Sequence, residues 1–183
     1  MPRPYKPNHQ SQRVAKPLDP TRLRDLALHY VGKYATSKAK LAAYLTRKIR
    51  ERGWAEGKPP ADVAALVEDF GNLGYVDDAA FAASRARSLT QRGFGLRRVV
   101  EDLRAKGIEP EDSAPAREES EASRWDAADR FARRKRIGPY AQEAATPELR
   151  QKQLQAFLRA GHGFDLAKAF VRAEPGQMPQ QED

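Results

Sequence analysis

The chain has 183 residues, with 33 Lys and Arg against 25 Asp and Glu, a formal charge of +8 and a pI near 9.8. Hydrophobic residues make up 40% and charged residues 32%, a polar globular composition that favours an elongated body over one full-sized core. Cysteine is absent, which excludes disulfides, thiolate metal sites and cysteine nucleophiles and suits a reducing cytoplasm. No run approaches ~18 apolar residues, so no membrane span is expected.

Residues 1–18 hold four prolines and no apolar period, and read as a disordered basic tail rather than a secretory signal. A first repeat is expected over 19–74. Asp19 caps its first helix with Pro20 at the first helical position, and Leu23, Leu26, Ala27, Tyr30, Val31 and Tyr34 form its apolar stripe. Ser37 caps a second helix with Leu41, Tyr44, Leu45 and Ile49 inward, ending near Gly53. A third presents Val63, Leu66, Val67, Phe70 and Leu73 before Gly74.

A second repeat is expected over 75–120. Asp77 caps a helix running to about Gln91, Gly93-Phe94-Gly95 turns the chain, and Leu96, Val99, Val100 and Leu103 form the next stripe up to Gly107. The segment 109–119 has Pro110, Pro115, many acids and only alanines as apolar residues, so helix and loop are evenly balanced there. A third repeat, over 121–173, starts with a helix carrying Trp125, Ala128, Phe131 and Ala132. Thr146 and Pro147 open the next, with Leu154, Phe157 and Leu158 inward. A short last helix carries Leu166, Ala167, Phe170 and Val171. Residues 174–183 read as a second disordered tail.

Leu45, Leu103 and Phe157 sit at equivalent inner positions of the three middle helices, 58 and 54 residues apart. A period near 55 with three helices per unit predicts an all-α array of three tandem three-helix repeats forming an elongated curved rod.

Charge is segregated by segment. Residues 1–24 carry +5, 25–58 +5, 59–76 −3, 77–108 +3, 109–123 −5, 124–172 +6 and 173–183 −3. If corresponding helices lie on one side of the rod, one face is positive and favours an acidic partner, a nucleic-acid backbone or an acidic protein groove. Helix position and charge select Arg85, Arg92, Arg97, Arg98, Arg104, Lys106, Arg133, Arg134 and Lys135 as contacts. Trp54 lies in a loop, where stacking on bases stays open; Trp125 falls on a core stripe.

Enzymatic signatures are missing. Asp77-Asp78 reads as a cap followed by a first-turn acid rather than a metal pair, and His9, His29 and His162 are isolated. The chain holds neither a complete dinucleotide fingerprint nor a complete phosphate loop. A binding protein without a catalytic site, cofactor or metal is expected.

The string Gly74-Tyr75-Val76-Asp77-Asp78-Ala79-Ala80-Phe81-Ala82, followed by Arg92-Gly93-Phe94-Gly95 and Leu103-Arg104-Ala105-Lys106-Gly107-Ile108, resembles the RecX family, bacterial regulators of the RecA recombinase. The resemblance runs over about 22–172 and implies three tandem three-helix repeats. It also implies a protein, expected here as a monomer, that lies in the groove of the RecA–single-stranded DNA filament and lowers ATP hydrolysis, strand exchange and SOS activity, in some cases binding DNA directly. In the family string Asp77 caps, Tyr75 and Phe81 pack, and Gly74, Gly93 and Gly107 turn. The residues themselves leave a second reading, a helical protein that grips nucleic acid without sequence preference.

Overall fold

The computed structural model describes residues 16–181, which form nine α-helices and one 3-10 turn. The first three helices are α1 (Pro20–Lys33), α2 (Lys38–Arg52) and α3 (Val63–Asn72). The next are α4 (Asp78–Gln91), α5 (Leu96–Ala105) and α6 (Pro110–Ala122), followed by α7 (Arg124–Lys135), α8 (Pro147–Arg159) and α9 (Phe164–Arg172). Their starts follow from caps in the sequence. Asp19, Ser37, Asp62, Asp77 and Thr146 each accept a backbone N–H from the first turn of the helix they precede, a contact worth about 1 kcal/mol apiece. Gly74, Gly93 and Gly107 take positive φ and end their segments as turns.

Apolar burial divides into three clusters in chain order: Leu18 to Val76, Ala82 to Ala116, and Ala128 to Val171. Leu45, Leu103 and Phe157, the equivalent positions of the middle helices, are buried to 0%, 1% and 0% exposure, one in each cluster. Phe94 packs against both the second and third clusters, so these two cores touch through a shared ring.

Helix α6 forms, over the segment whose sequence favours neither state. Its buried residues are Ser113, Ala116 and Ser120, and they close on α4, where Ala82, Ala86 and Leu89 are buried. Small side chains on both sides let the two backbones approach, so the pair needs no large apolar stripe. The Ser113 and Ser120 hydroxyls donate back to the Pro110 and Ala116 carbonyls, which satisfies them inside the contact. Pro110 occupies the first helical position, while Pro115 lies inside the helix and gives up a ladder hydrogen bond at a cost of about 3 kcal/mol.

The units meet end to end through their middle helices. At one junction the Gly95 and Arg97 N–H groups, opening α5, donate to the Ala160 and Gly161 carbonyls that close α8, at 2.9 and 3.2 Å. Free donors of one helix thus satisfy free acceptors of another, and α5 needs no side-chain cap. At the other junction Ser37 Oγ donates to the Lys106 carbonyl just past α5, at 2.7 Å, while accepting the Lys40 N–H of α2. In the order α8, α5, α2 the helices have 13, 10 and 15 residues, a contour of about 57 Å, roughly twice the width of a small domain.

The basic tail read over 1–18 needs correction at its inner end. Leu18 is fully buried, and it pairs with the Trp54 segment through Leu18 N–H to Gly53 O and Ala55 N–H to Leu18 O. An apolar residue that docks on a neighbouring segment gains from burial that a composition average does not register. Residues 1–15 lie outside the described residues. The second tail is likewise held where it begins: Gly176 N–H donates to the Pro139 carbonyl at 2.9 Å, and Glu174 pairs with Arg150 at 3.3 Å. Residues 182–183 also lie outside the described residues.

Candidate cationic interface

Much of the segregated charge is consumed inside the units. The acids of α3 pair with α1 and α2 through Arg24–Asp69 at 3.9 Å and Lys38–Glu68 at 2.9 Å, and Arg87 of α4 meets Glu119 of α6 at 3.6 Å. Exposed pairs such as these contribute at most about 1 kcal/mol each. Acidic third helices therefore serve in part as counter-charges for basic neighbours.

The nine cations selected from the sequence separate into three kinds. Arg85 is held inside its unit, where its Nε and Nη2 donate to the two carboxylate oxygens of Asp102 at 2.7 and 2.9 Å. This fork holds the Asp102 carboxyl below its ordinary pKa through the Arg85 hydrogen bonds. Arg98 and Arg133 are partly engaged. Arg98 meets Glu101 at 3.5 Å; Arg133 donates to the Tyr140 hydroxyl at 3.1 Å and lies 3.5 Å from Asp129. The remaining six, Arg92, Arg97, Arg104, Lys106, Arg134 and Lys135, make no ion pair among the described residues.

Four of those six gather at the junctions. Arg92 and Arg134 flank one ring, with guanidinium carbons 5.5 and 5.8 Å from the centroid of Phe94, and Arg134 Nη1 donates to the Arg92 carbonyl. Arg134 also lies 5.6 Å over Phe131, so α7 is tied to the end of α4 by cation–π contact. Arg97 opens α5 against the end of α8, and Lys106 follows α5, where its carbonyl receives Ser37. Arg104 and Lys135 are exposed near the ends of α5 and α7.

The carboxylates of the family-like string act on structure. Asp77 accepts the Ala80 N–H at 2.8 Å as the cap of α4. Asp78 does more than sit in a first turn. Its Oδ1 accepts the Lys38 N–H of α2 at 2.9 Å, and burial is the main cause that raises its pKa. Tyr75 is 52% exposed and only tilts against Phe70; Phe81 is half-buried on the second core with Lys40 Nζ 5.6 Å over its ring. Trp54 is not open for stacking. It is half-buried, its Nε1–H donates to the Pro59 carbonyl at 2.9 Å, and its segment pairs with Leu18. Trp125 packs on Phe170 at 5.0 Å, as its stripe position requires.

Sequence reasoning missed His162. It is 2% exposed, its Nε2–H donates to the Gly93 carbonyl at 3.2 Å, and its ring packs against Phe131 and Phe157. Burial lowers its pKa to about 4, so it joins the second and third units as a neutral side chain. Among the described residues no three His, Asp or Glu side chains gather as a metal site, and no helix is long and apolar enough to cross a membrane.

Comparison with known proteins agrees with this architecture. Residues 77–116 match the family model for the second three-helix domain of RecX. The chain is 35% identical to the regulatory protein RecX of Myxococcus xanthus over 179 residues, covering 94% of this chain and 96% of that one. It is 30% identical over 147 residues to the regulatory protein RecX of Agrobacterium fabrum, covering 78% of each. A crystal structure of RecX from Lactobacillus salivarius superposes with a TM-score of 0.59 at 16% identity, covering 82% of this chain and 93% of that one. Another crystal structure of regulatory protein RecX gives the same score at 19% identity, covering 82% and 70%.

Proposed function

The chain belongs to the RecX family, and we propose that it is a RecA regulator that docks lengthwise in the groove of the RecA–single-stranded DNA filament and slows its ATP hydrolysis. The observation that carries this reading is the placement of cations without ion pairs at the junctions of three middle helices strung end to end, with Arg97 and Lys106 at the two ends of α5 and Arg92 and Arg134 beside Phe94. A contour of about 57 Å gives the chain an extended docking surface, and repeated units with charge at each junction present a periodic ligand to a periodic partner. No catalytic group takes part. Regulation comes from binding one state of the filament more tightly than another, so that its equilibrium or turnover shifts.

Phosphate release from RecA on single-stranded DNA tests the proposal. Substoichiometric protein is expected to slow it, and the triple reversal Arg97→Glu, Lys106→Glu and Lys135→Glu is expected to abolish the effect while helicity is retained. An unchanged rate with the unaltered protein rejects the proposal and favours the second reading, a sequence-tolerant nucleic-acid binder. That reading predicts an affinity for bare DNA that falls ~10³-fold or more between 50 and 200 mM salt.

A further inference from the structure

A groove of about 850 Å³ runs between the second and third units, with the start of α5 on one side and α9 on the other. Arg97, Lys168 and Arg172 line it and make no ion pair among the described residues. A fourth cation, Arg124, is paired with Glu121 at 3.0 Å. Its aromatic wall is Trp125, half-buried on Phe170, and Phe164, 52% exposed with Lys168 Nζ 5.8 Å over the ring. Asp165 is the other acid of the lining. Both helices that open onto it, α5 and α9, start at glycines and lack side-chain caps.

The groove has an occupant in the same chain. After α9 the backbone turns through Pro175–Gly176, where Gly176 N–H is held by the Pro139 carbonyl, and Pro179, Gln180 and Gln181 return along the lining. Gln181 is followed in sequence by Glu182 and Asp183, so the covering segment leads into charge opposite to that of the lining.

We infer that residues 179–181 are a built-in cover over a single-strand nucleic-acid groove, and that binding requires the segment to leave. Three cations without ion pairs suit successive phosphates. An exposed phenyl ring with a cation above it suits a base, since stacking needs only a π-face and tolerates any sequence. The cover makes no hydrogen bond to the lining among the described residues, so it is displaceable by a ligand that supplies both contacts. The inference does not depend on the recombinase, which is absent from its test.

The natural chain has no cysteine, so Gln180→Cys carries a single bimane that Trp125 quenches on contact. Quenching is expected in the free protein, is lost with Trp125→Phe, and is relieved by an oligo(dT) strand of about 16 nucleotides. A chain ending at Gln177 is expected to bind that strand about tenfold tighter, the factor by which a site open roughly one-tenth of the time is weakened. Adding Phe164→Ala to the shortened chain is expected to remove the gain, with circular dichroism reporting an intact fold. Equal affinity of the shortened and full chains overturns the inference whatever the fluorescence does, as does a gain that survives Phe164→Ala.

Discussion

Asp78 of the second unit accepts the backbone N–H of Lys38 in the first, across 2.9 Å and 40 residues of sequence. One carboxylate at the start of α4 thereby closes the start of α2, a helix whose own cap, Ser37, is also bonded to the second unit through Lys106. The junction is a shared N-terminus, with each unit completing the hydrogen bonds of the other.

Asp78→Ala is expected to destabilise the fold by about 1–2 kcal/mol, the usual worth of a helix cap. Ser37→Ala is expected to cost a similar amount. Because both act on one helix end, the double variant falls short of the sum, which urea unfolding of all three proteins resolves. Asp78→Asn keeps an acceptor and removes a buried charge, so its cost is smaller. The Asp78 pKa is raised in the folded state; the charge therefore opposes folding once pH rises through that pKa, and the advantage of the amide is seen at neutral pH.

His162 supplies a pH dependence of its own. Its folded pKa is near 4 against an ordinary value of 6.5, so the unfolded chain binds the extra proton between those values. The stability it allows is complete above pH 6.5 and is lost as pH falls toward 4. Between pH 7 and pH 5 the expected loss is about 2 kcal/mol. In His162→Gln this part of the slope disappears, as denaturant unfolding at the two pH values measures.

Arg85 and Asp102 form a half-buried fork between α4 and α5, with side chains 35% and 13% exposed. Asp102 has a lowered pKa, so its contribution is present at neutral pH and fades as pH falls through the folded value. Arg85→Ala is expected to cost about 1–3 kcal/mol in thermal or urea unfolding, less than for a fully buried pair. Arg85→Lys restores little, since one ammonium cannot reproduce the two parallel bonds. Filament or nucleic-acid affinity per folded molecule is expected to stay unchanged, because the guanidinium is already occupied.

Gly95 and Gly161 face one another where α5 meets α8. A Cβ on Gly95 would stand 2.4 Å from the Gly161 carbonyl oxygen, and one on Gly161 would stand 2.4 Å from the Arg98 nitrogen at a φ of +91°. Backbone obstructs each methyl, so neither contact relaxes by turning a side chain. Gly95→Ala and Gly161→Ala are each expected to cost at least about 2 kcal/mol and to loosen the second and third units from one another. Amide hydrogen exchange reads this directly, as lost protection at Gly95 and Arg97 before the helix interiors.

Helix starts were legible because capping is local. Asp19, Ser37, Asp77 and Thr146 each bond a backbone group three residues on, a distance over which sequence spacing is geometry. The stripes of α1, α2 and α5 were legible for the same reason. Helix α6 was not, because its partner is a set of small residues on α4 and smallness becomes informative only once the two faces are known to meet. Trp54 and Leu18 escaped for a related reason, being joined across 36 residues by a short strand pairing that neither segment signals alone.

The cations show the same division. Their types and the segments that carry them are written in the chain, but whether a given guanidinium is free is a through-space property. Arg85 and Arg97 look alike in sequence; one is clasped by Asp102 and the other opens onto a groove. The sequence by itself determined every helix but α6, their period of near 55 residues and the surplus of positive charge, since each depends on neighbours within a few turns or on simple counting. Only the tertiary structure decided how the units join and which charges remain unpaired, because hydrogen bonds and ion pairs fall off over a few ångströms and take no account of separation along the chain.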